Sequence, residues 1–162
     1  MATEAFQTWH ASEPYINLHC LLGEGPFYEK GTRSLRFVDI RKKQIHSFSL
    51  DAGPSSLKTV QLDVPVTVTA DVEGSDPAEH ILVGLKYGIA LLDRKTETYE
   101  YLARFVEGRG DERIRSNDGA ADPHGRFWLG TMTDFGQGDF QPEGKWLGVR
   151  GRVPCATCPE SF

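Results

Sequence analysis

The sequence has little cysteine, no long apolar run and no excess of basic charge. Its 162 residues contain three cysteines, which are too few and too unevenly spaced for a disulfide framework. No stretch approaches the roughly 20 apolar residues that cross a bilayer. Residues 1–10 also lack the basic start and apolar core of a signal peptide. We therefore expect a soluble, cytoplasmic protein without a membrane partner.

The charge balance is mildly acidic, since 18 Lys and Arg stand against 23 Asp and Glu, a formal net charge of -5. Nucleic-acid binding needs a basic face that neutralises phosphates, and the run Arg41–Lys43 is too short to supply one. The composition therefore predicts no nucleic-acid partner. Cys155 and Cys158 have the spacing of half a zinc site, but no second Cys or His pair accompanies them.

Helical periodicity is almost absent, and short β-branched or aromatic segments alternate with Gly, Pro, Asp and Asn. The pattern predicts two hairpin units and the start of a third, which follows a turn at Asp122–Gly125. The predicted strands are residues 34–40, 45–50, 66–72, 80–85, 89–93, 99–105 and 126–131.

Apolar pairs recur at a nearly constant interval along the chain. The pairs Phe37–Val38, Leu82–Val83 and Trp128–Leu129 are separated by 45 and then 46 positions. A period near 45 with several short strands in each unit fits the blade of a β-propeller. A β-sandwich would also have short strands, though not necessarily this period. The sequence therefore predicts an all-β fold and favours a propeller.

One candidate functional residue is Glu24, which stands between two glycines in the segment Leu22–Pro26 (LGEGP). Glycines remove Cβ bulk and permit positive φ, so this carboxylate can be aimed into a crowded channel and coordinate a hard cation. An exposed glutamate on a turn is the alternative, and the residues alone favour it.

A second candidate group is Arg115, Asn117 and Asp118, which lie within four positions of one another. They offer a guanidinium donor, an amide and a carboxylate acceptor, which together suit a polyhydroxylated or carboxylated small molecule. Asn-Asp-Gly is also a turn signature in its own right. The residues alone therefore leave both interpretations open.

Several separated motifs together resemble the SMP-30/gluconolactonase/regucalcin family in order and in spacing, from about Trp9 to about Gly144. The motifs that carry the resemblance are Leu22–Pro26, Leu35–Ile40 with Gln44–His46, Arg115–Gly119, Asp122–Arg126 and Gly130–Met132.

The resemblance implies a six-bladed β-propeller that holds one divalent metal, calcium or zinc, on its axis and hydrolyses lactones of sugar acids. It implies that Glu24 is a metal ligand and that Arg115 and Asn117 contact the substrate, with Asp118 adjacent. It also implies an acidic group just after Gly-Thr-Met, close to Asp134. The family's other metal ligands, an Asn and an Asp that doubles as general acid/base, come from later blades, so none of these 162 residues is assigned a catalytic role.

The length predicts about three blades rather than six, because six units of this period need about 270 residues. We assign residues 1–144 to a partial propeller and residues 145–162 to an unrelated tail that we expect to be disordered. The codons of Gly144–Trp146 can contain an intron donor, so the tail is interpreted as translated intron, with a genuine short isoform as the alternative.

The predicted function is metal-dependent lactone hydrolysis by family, absent from this chain by itself. The alternative is a non-catalytic propeller fragment that acts as a binding or interaction module. The oligomeric state is left open.

Overall fold

Short β-branched and aromatic segments form the strands of an all-β, antiparallel structure. This computed structural model describes residues 7–105 and 112–150, in which the strands form three sheets built from segments consecutive in sequence. The first sheet contains β1 (Gly23–Glu29), β2 (Ser34–Asp39), β3 (Gln44–Ser49) and β4 (Lys58–Gln61). The second contains β5 (Val66–Ala70), β6 (His80–Leu85), β7 (Gly88–Asp93) and β8 (Thr98–Arg104). The third contains β9 (Ile114–Ala121), β10 (Arg126–Thr133) and β11 (Trp146–Arg150).

The repeated apolar pairs occupy equivalent places in the three sheets. Phe37–Val38 lies in β2, Leu82–Val83 in β6 and Trp128–Leu129 in β10, so each pair falls on the second strand of its sheet. The predicted all-β class and the repeat are therefore confirmed. In the described residues the helical structure is a 3-10 turn at Gly53–Ser56, and nothing there has the length and hydropathy to cross a bilayer as a helix.

Two hydrophobic cores form where neighbouring sheets pack against each other. The first core has as its buried members Val38, Ile40, Ile45 and Leu62 from the first sheet and its turns, and Val66, Ile81, Val83, Leu85, Ala90 and Leu92 from the second sheet. The second core has Val68, Ala70, Leu82, Ile89, Phe127 and Leu129, which join the second sheet to the third.

Strand β5 contributes to both cores, and a β-bulge determines which of its residues enters each core. Val66 pairs with Leu85 but Val68 pairs with Gly84, so Thr67 is the extra residue. Residues two positions apart normally face the same side of a strand, and a bulge reverses that alternation. Val66 therefore packs in the first core and Val68 in the second. All five residues of β5 are buried, because the strand lies between the first and the third sheet.

Two segments that are rich in turn-forming residues are strands in the structure. Glu24 lies inside β1 rather than on a turn before the first strand, and the Asn-Asp-Gly stretch lies inside β9. Both segments pair with a neighbouring strand and carry a bulge, so sheet pairing overrides their local turn preference. The turn at Asp122–Gly125 is confirmed, because the Gly125 N–H donates to the Asp122 carbonyl at 3.0 Å.

The strand pattern also continues past Gly144, where we expected it to stop. Strand β11 pairs with β10, and Gly148 lies directly opposite Trp128. A Cβ at Gly148 would lie 2.8 Å from the Trp128 ring, so glycine lets the two strands approach. The domain boundary itself stays a prediction. Residues 151–162, including Cys155 and Cys158, lie outside the described residues.

A buried charged network joins the first two sheets. Arg36 of β2 is fully buried, and its Nε donates to Thr69 Oγ1 of β5 at 2.8 Å. Its Nη1 donates to Glu29 Oε1 at 2.6 Å and to Asp71 Oδ1 at 2.7 Å. Arg94 reaches the same Glu29 oxygen at 2.7 Å from the second sheet. Removing one member would therefore leave an opposite charge buried with fewer partners.

We predict that Arg36→Met lowers the free energy of unfolding by about 3 kcal/mol, because Glu29 would stay buried with Arg94 as its remaining cation. Urea denaturation followed by circular dichroism measures the change. Arg33→Met is the control, since Arg33 pairs with Asp51 on an exposed surface and its loss should matter little. Equal destabilisation in the two variants would contradict the role of the network.

Candidate functional site

Glu24 stands next to a β-bulge near the start of β1. Glu24 pairs with Val38, whereas Phe27 pairs with Arg36, so Gly25 and the proline after it are accommodated in the bulge. Gly25 has a φ of 58°, in the left-handed region that favours glycine. The prediction that a flanking glycine permits positive φ is therefore confirmed at this position. The bulge leaves the Glu24 side chain on the exposed surface.

Arg115 of β9 is buried, with 3% of its area exposed. Its Nη1 donates to the Ser116 carbonyl at 2.7 Å and to Asn117 Oδ1 at 3.1 Å. Its Nη2 contacts the sulfur of Met132 at 3.0 Å, because Met132 is its partner on β10. Its Nε lies 3.7 Å from Asp134 Oδ1, beyond hydrogen-bond distance, and has no hydrogen-bond partner. Most donors of Arg115 are thus used inside the protein.

Glu24 and Arg115 come from different sheets but interact electrostatically. Burial lowers the pKa of the Arg115 guanidinium, while the charges of Asp134 and Glu24 act in the opposite direction. The carboxylate of the Gly-Glu-Gly segment therefore contributes to the electrostatic environment of Arg115. Two candidate residues that are far apart in the chain are thus coupled electrostatically.

Asn117 is the exposed polar group of β9 that Arg115 orients. Its Oδ1 accepts from Arg115, which leaves the amide NH2 as an outward-facing donor. Asn117 and Asp118 form a bulge opposite Gly130, and bulges of this kind re-aim side chains at strand ends. Asp118 takes a different place: it lines a cavity of about 280 Å³ with Trp128 and has no part in the Arg115 hydrogen bonds.

Asp134 follows β10 and is held by two cations. Its Oδ2 accepts from Lys86 Nζ at 2.7 Å, and its Oδ1 accepts from the Phe135 N–H at 2.7 Å while lying near Arg115. Lys86 also donates to Glu112 Oε2 at 2.8 Å. Burial lowers the pKa of Lys86, but the bonds to Asp134 and Glu112 outweigh it, so its pKa is raised. Asp134 is therefore part of the site.

Sequence reasoning missed Lys86, Glu112, Phe135 and Arg41. Lys86 belongs to the turn between β6 and β7, and Arg41 to the turn between β2 and β3. Both turns looked like ordinary polar connections. A signal was nevertheless present for Lys86, since a lysine directly after a fully buried strand needs a carboxylate partner from another element.

The motifs that build this site also match a family. A model of the SMP-30/Gluconolactonase/LRE-like region matches residues 22–156. The chain belongs to this family. The matched region includes Glu24, Arg115, Asn117 and Asp134.

Relatives in the SMP-30/gluconolactonase family have different names. The chain is 31% identical over 137 residues to the cell growth-regulated gene 1 protein of Candida albicans, covering 76% of this chain and 40% of that protein. It is 35% identical over 112 residues to a 6-deoxy-6-sulfogluconolactonase of Pseudomonas putida, covering 69% of this chain and 36% of that protein. The chain thus spans well under half the length of these curated relatives.

A solved structure of the family has the same arrangement of strands. A regucalcin from Agrobacterium tumefaciens, described as a calcium-binding protein, superposes with a TM-score of 0.65 at 26% sequence identity. The superposition covers 83% of this chain and 42% of that one. The three sheets are therefore related to a regucalcin-like fold.

The family implies a divalent metal, and Glu24 has the chemistry of one ligand. Its exposed carboxylate supplies the oxygen donors that calcium prefers. Calcium takes six to eight oxygens, however, and one carboxylate provides two at most. Within residues 7–105 and 112–150, no group of three or more His, Cys, Asp and Glu is placed to hold a metal ion. Glu24 therefore fits as a single ligand and not as a complete site.

We predict that Asp134→Asn lowers the free energy of unfolding by about 2–4 kcal/mol, because Arg115 and Lys86 are buried cations that would lose a shared carboxylate. Differential scanning calorimetry measures the loss. Asp139→Asn serves as a matched control, since Asp139 is an exposed carboxylate of the same loop. If both variants have the melting temperature of the wild type, Asp134 does not stabilise the site.

Proposed function

We propose that this chain carries the substrate-binding part of a metal-dependent lactonase site. In this proposal Glu24 is one ligand of a calcium or zinc ion, and Asn117 donates to an oxygen of a sugar-acid lactone. Arg115, predicted to contact substrate, also holds the Asn117 amide in place. Asp118 is kept as an adjacent substrate residue, although its side chain lines a different cavity.

The observation that carries the proposal is that β1 and β9 both pack against β5. Glu24 and Arg115 lie in different sheets, yet the Glu24 charge acts on Arg115, which in turn holds Asn117. An exposed carboxylate and an oriented amide offer oxygen ligands for a cation and an N–H donor for a polyhydroxylated ring. These two kinds of group suit a small, oxygen-rich ligand better than a protein or nucleic-acid partner.

A divalent cation bound at Glu24 would polarise a lactone carbonyl and stabilise the charge that develops on its oxygen. The chain's own residues would bind and orient the ring, with the Asn117 NH2 group as a donor. No residue here is assigned as general acid or base. We therefore propose that the 162-residue chain binds lactone without hydrolysing it, as a binding module.

The same proposal extends to the fold and to the setting of the protein. The three sheets correspond to about three blades of a six-bladed propeller, because their second strands begin at the regular positions Ser34, His80 and Arg126. The partner is a small sugar lactone rather than a nucleic acid. The location in the cytoplasm stays a prediction, and the oligomeric state stays open.

We predict that the purified 162-residue chain binds D-glucono-1,4-lactone with a Kd of roughly 1 mM, about -4 kcal/mol. Asn117→Ala should abolish this binding, because it removes the exposed amide. Titration followed by NMR chemical-shift changes measures the affinity. The control is Asn17→Ala, which removes an amide in the segment before β1. Unchanged binding in Asn117→Ala would contradict the proposed ligand contact.

Metal binding by the same chain is expected to be weak, with a calcium Kd above about 1 mM, because Glu24 alone offers few of the oxygens that calcium needs. Hydrolysis of D-glucono-1,5-lactone should stay at the spontaneous rate with calcium, with zinc or with a chelator. Calcium- or zinc-dependent turnover that disappears in Glu24→Ala would refute the proposed lack of activity.

A further inference from the structure

The ring of Phe135 forms a fixed platform at the edge of the site. Its backbone N–H donates to the Asp134 side chain, and its ring packs against the first hydrophobic core. The ring therefore has little freedom to move away. Two guanidinium groups from different sheets contact it, Arg115 with its central carbon 4.4 Å from the ring centroid and Arg41 at 4.7 Å.

The two guanidinium groups differ in how their charge is used. Arg115 is buried and lies near Asp134, and its Nη1 and Nη2 donate to groups inside the protein. Arg41 lies on the exposed turn between β2 and β3. Throughout residues 7–105 and 112–150, Arg41 forms no hydrogen bond and no ion pair, so its donors face solvent.

Among the cations around Phe135, Arg41 is the one without a carboxylate partner in the described residues. Lys86 is balanced by Asp134 and Glu112, and Arg115 shares Asp134. Stacking on an aromatic face orients a planar guanidinium without using its N–H donors. An oriented fork of free donors matches the geometry of a carboxylate or sulfonate.

The place of this fork relative to the other site residues limits what it can bind. Arg115 donates a hydrogen bond to Asn117 Oδ1, and the charge of Glu24 acts to raise its pKa. In the metal-free chain the Glu24 carboxylate would repel an anion beside it, whereas Arg41 at the Phe135 edge would attract one. A ligand that contacts both Asn117 and Arg41 has a neutral, oxygen-rich ring at Asn117 and an anionic substituent at Arg41, away from the reacting lactone.

We infer that Arg41, stacked on Phe135, is a specificity residue that makes the site prefer sugar lactones with an anionic substituent, a carboxylate or a sulfonate. This inference rests on the proposed function, because it assumes that Asn117 and its neighbours bind a lactone ring. A solely structural role for Arg41, in which stacking ties the first sheet to the loop after β10, predicts no dependence on ligand charge.

The test compares two lactones that differ at one carbon. D-glucaro-1,4-lactone carries a free carboxylate where D-glucono-1,4-lactone carries a hydroxymethyl group. We expect the 162-residue chain to bind the anionic lactone about three- to tenfold more tightly, as suits an exposed, charge-assisted contact. The preference should shrink in high salt, since the pair is open to solvent.

Arg41→Gln should remove the preference and change the affinity for the neutral lactone less than twofold, while Arg41→Lys should retain part of it. Lys43→Gln is the matched control, because it removes the same charge from the same turn and Lys43 bonds to the Asp63 carbonyl instead. Lys43→Gln should keep the full preference.

The outcomes separate the two proposals. Equal binding of both lactones by the wild type, or a preference that survives in Arg41→Gln, overturns the role of Arg41 and leaves lactone binding intact. Loss of preference in Lys43→Gln as well as in Arg41→Gln points to net charge and also overturns it. Binding of neither lactone overturns the proposed function and this inference with it.

Discussion

Strand β5, which packs against both neighbouring sheets, is the element on which both cores and the site depend. Its bulge at Thr67 turns the side chains so that Val66 packs towards the first sheet and Val68 towards the third. A regular strand of this length would commit alternate residues to fixed sides and could not place both valines in this way. Because β5 contacts β1 and β9, the same strand brings the two elements that carry Glu24 and Arg115 together.

Polar contacts between neighbouring sheets hold the sheets together in addition to the two hydrophobic cores. Arg36 ties the first sheet to Thr69, while the hydroxyl groups of Thr67 and Ser116 lie 2.9 Å apart between β5 and β9. Lys86 extends from the second sheet to Asp134 beyond β10. Buried polar groups of this kind are costly unless each finds its partner, so they fix the relative placement of the sheets. Because the candidate site residues belong to these sheets, their relative placement is fixed as well.

The sequence was sufficient to predict strands whose signal is local. Alternation and the recurring apolar pairs predicted β2, β6 and β10, and Pro-containing turn chemistry predicted the Asp122–Gly125 turn. Strands β1 and β9 were missed as strands because glycine, proline, asparagine and aspartate in Leu22–Pro26 and in Arg115–Gly119 resemble turns. Their strand conformation comes from pairing with β2 and β10, and the turn-forming residues appear as bulges. The same bulges re-aim Glu24 and Asn117, so the prediction of strands fails at the candidate site.

The candidate site divides in a similar way. Glu24, Arg115 and Asn117 could be selected from motifs, because their types and spacing are visible in the chain. Arg41 could not, since its neighbour Phe135 lies almost a hundred residues away and no local pattern relates them. In the sequence Arg41 is the first residue of the basic run Arg41–Lys43. So short a run argues only against a nucleic-acid partner. The structure separates the three: Lys42 and Lys43 bond to backbone carbonyls, while Arg41 stacks on an aromatic ring and has no hydrogen-bond partner within residues 7–105 and 112–150. The function of a surface charge thus depends on which partners the fold leaves it, which net charge alone does not reveal.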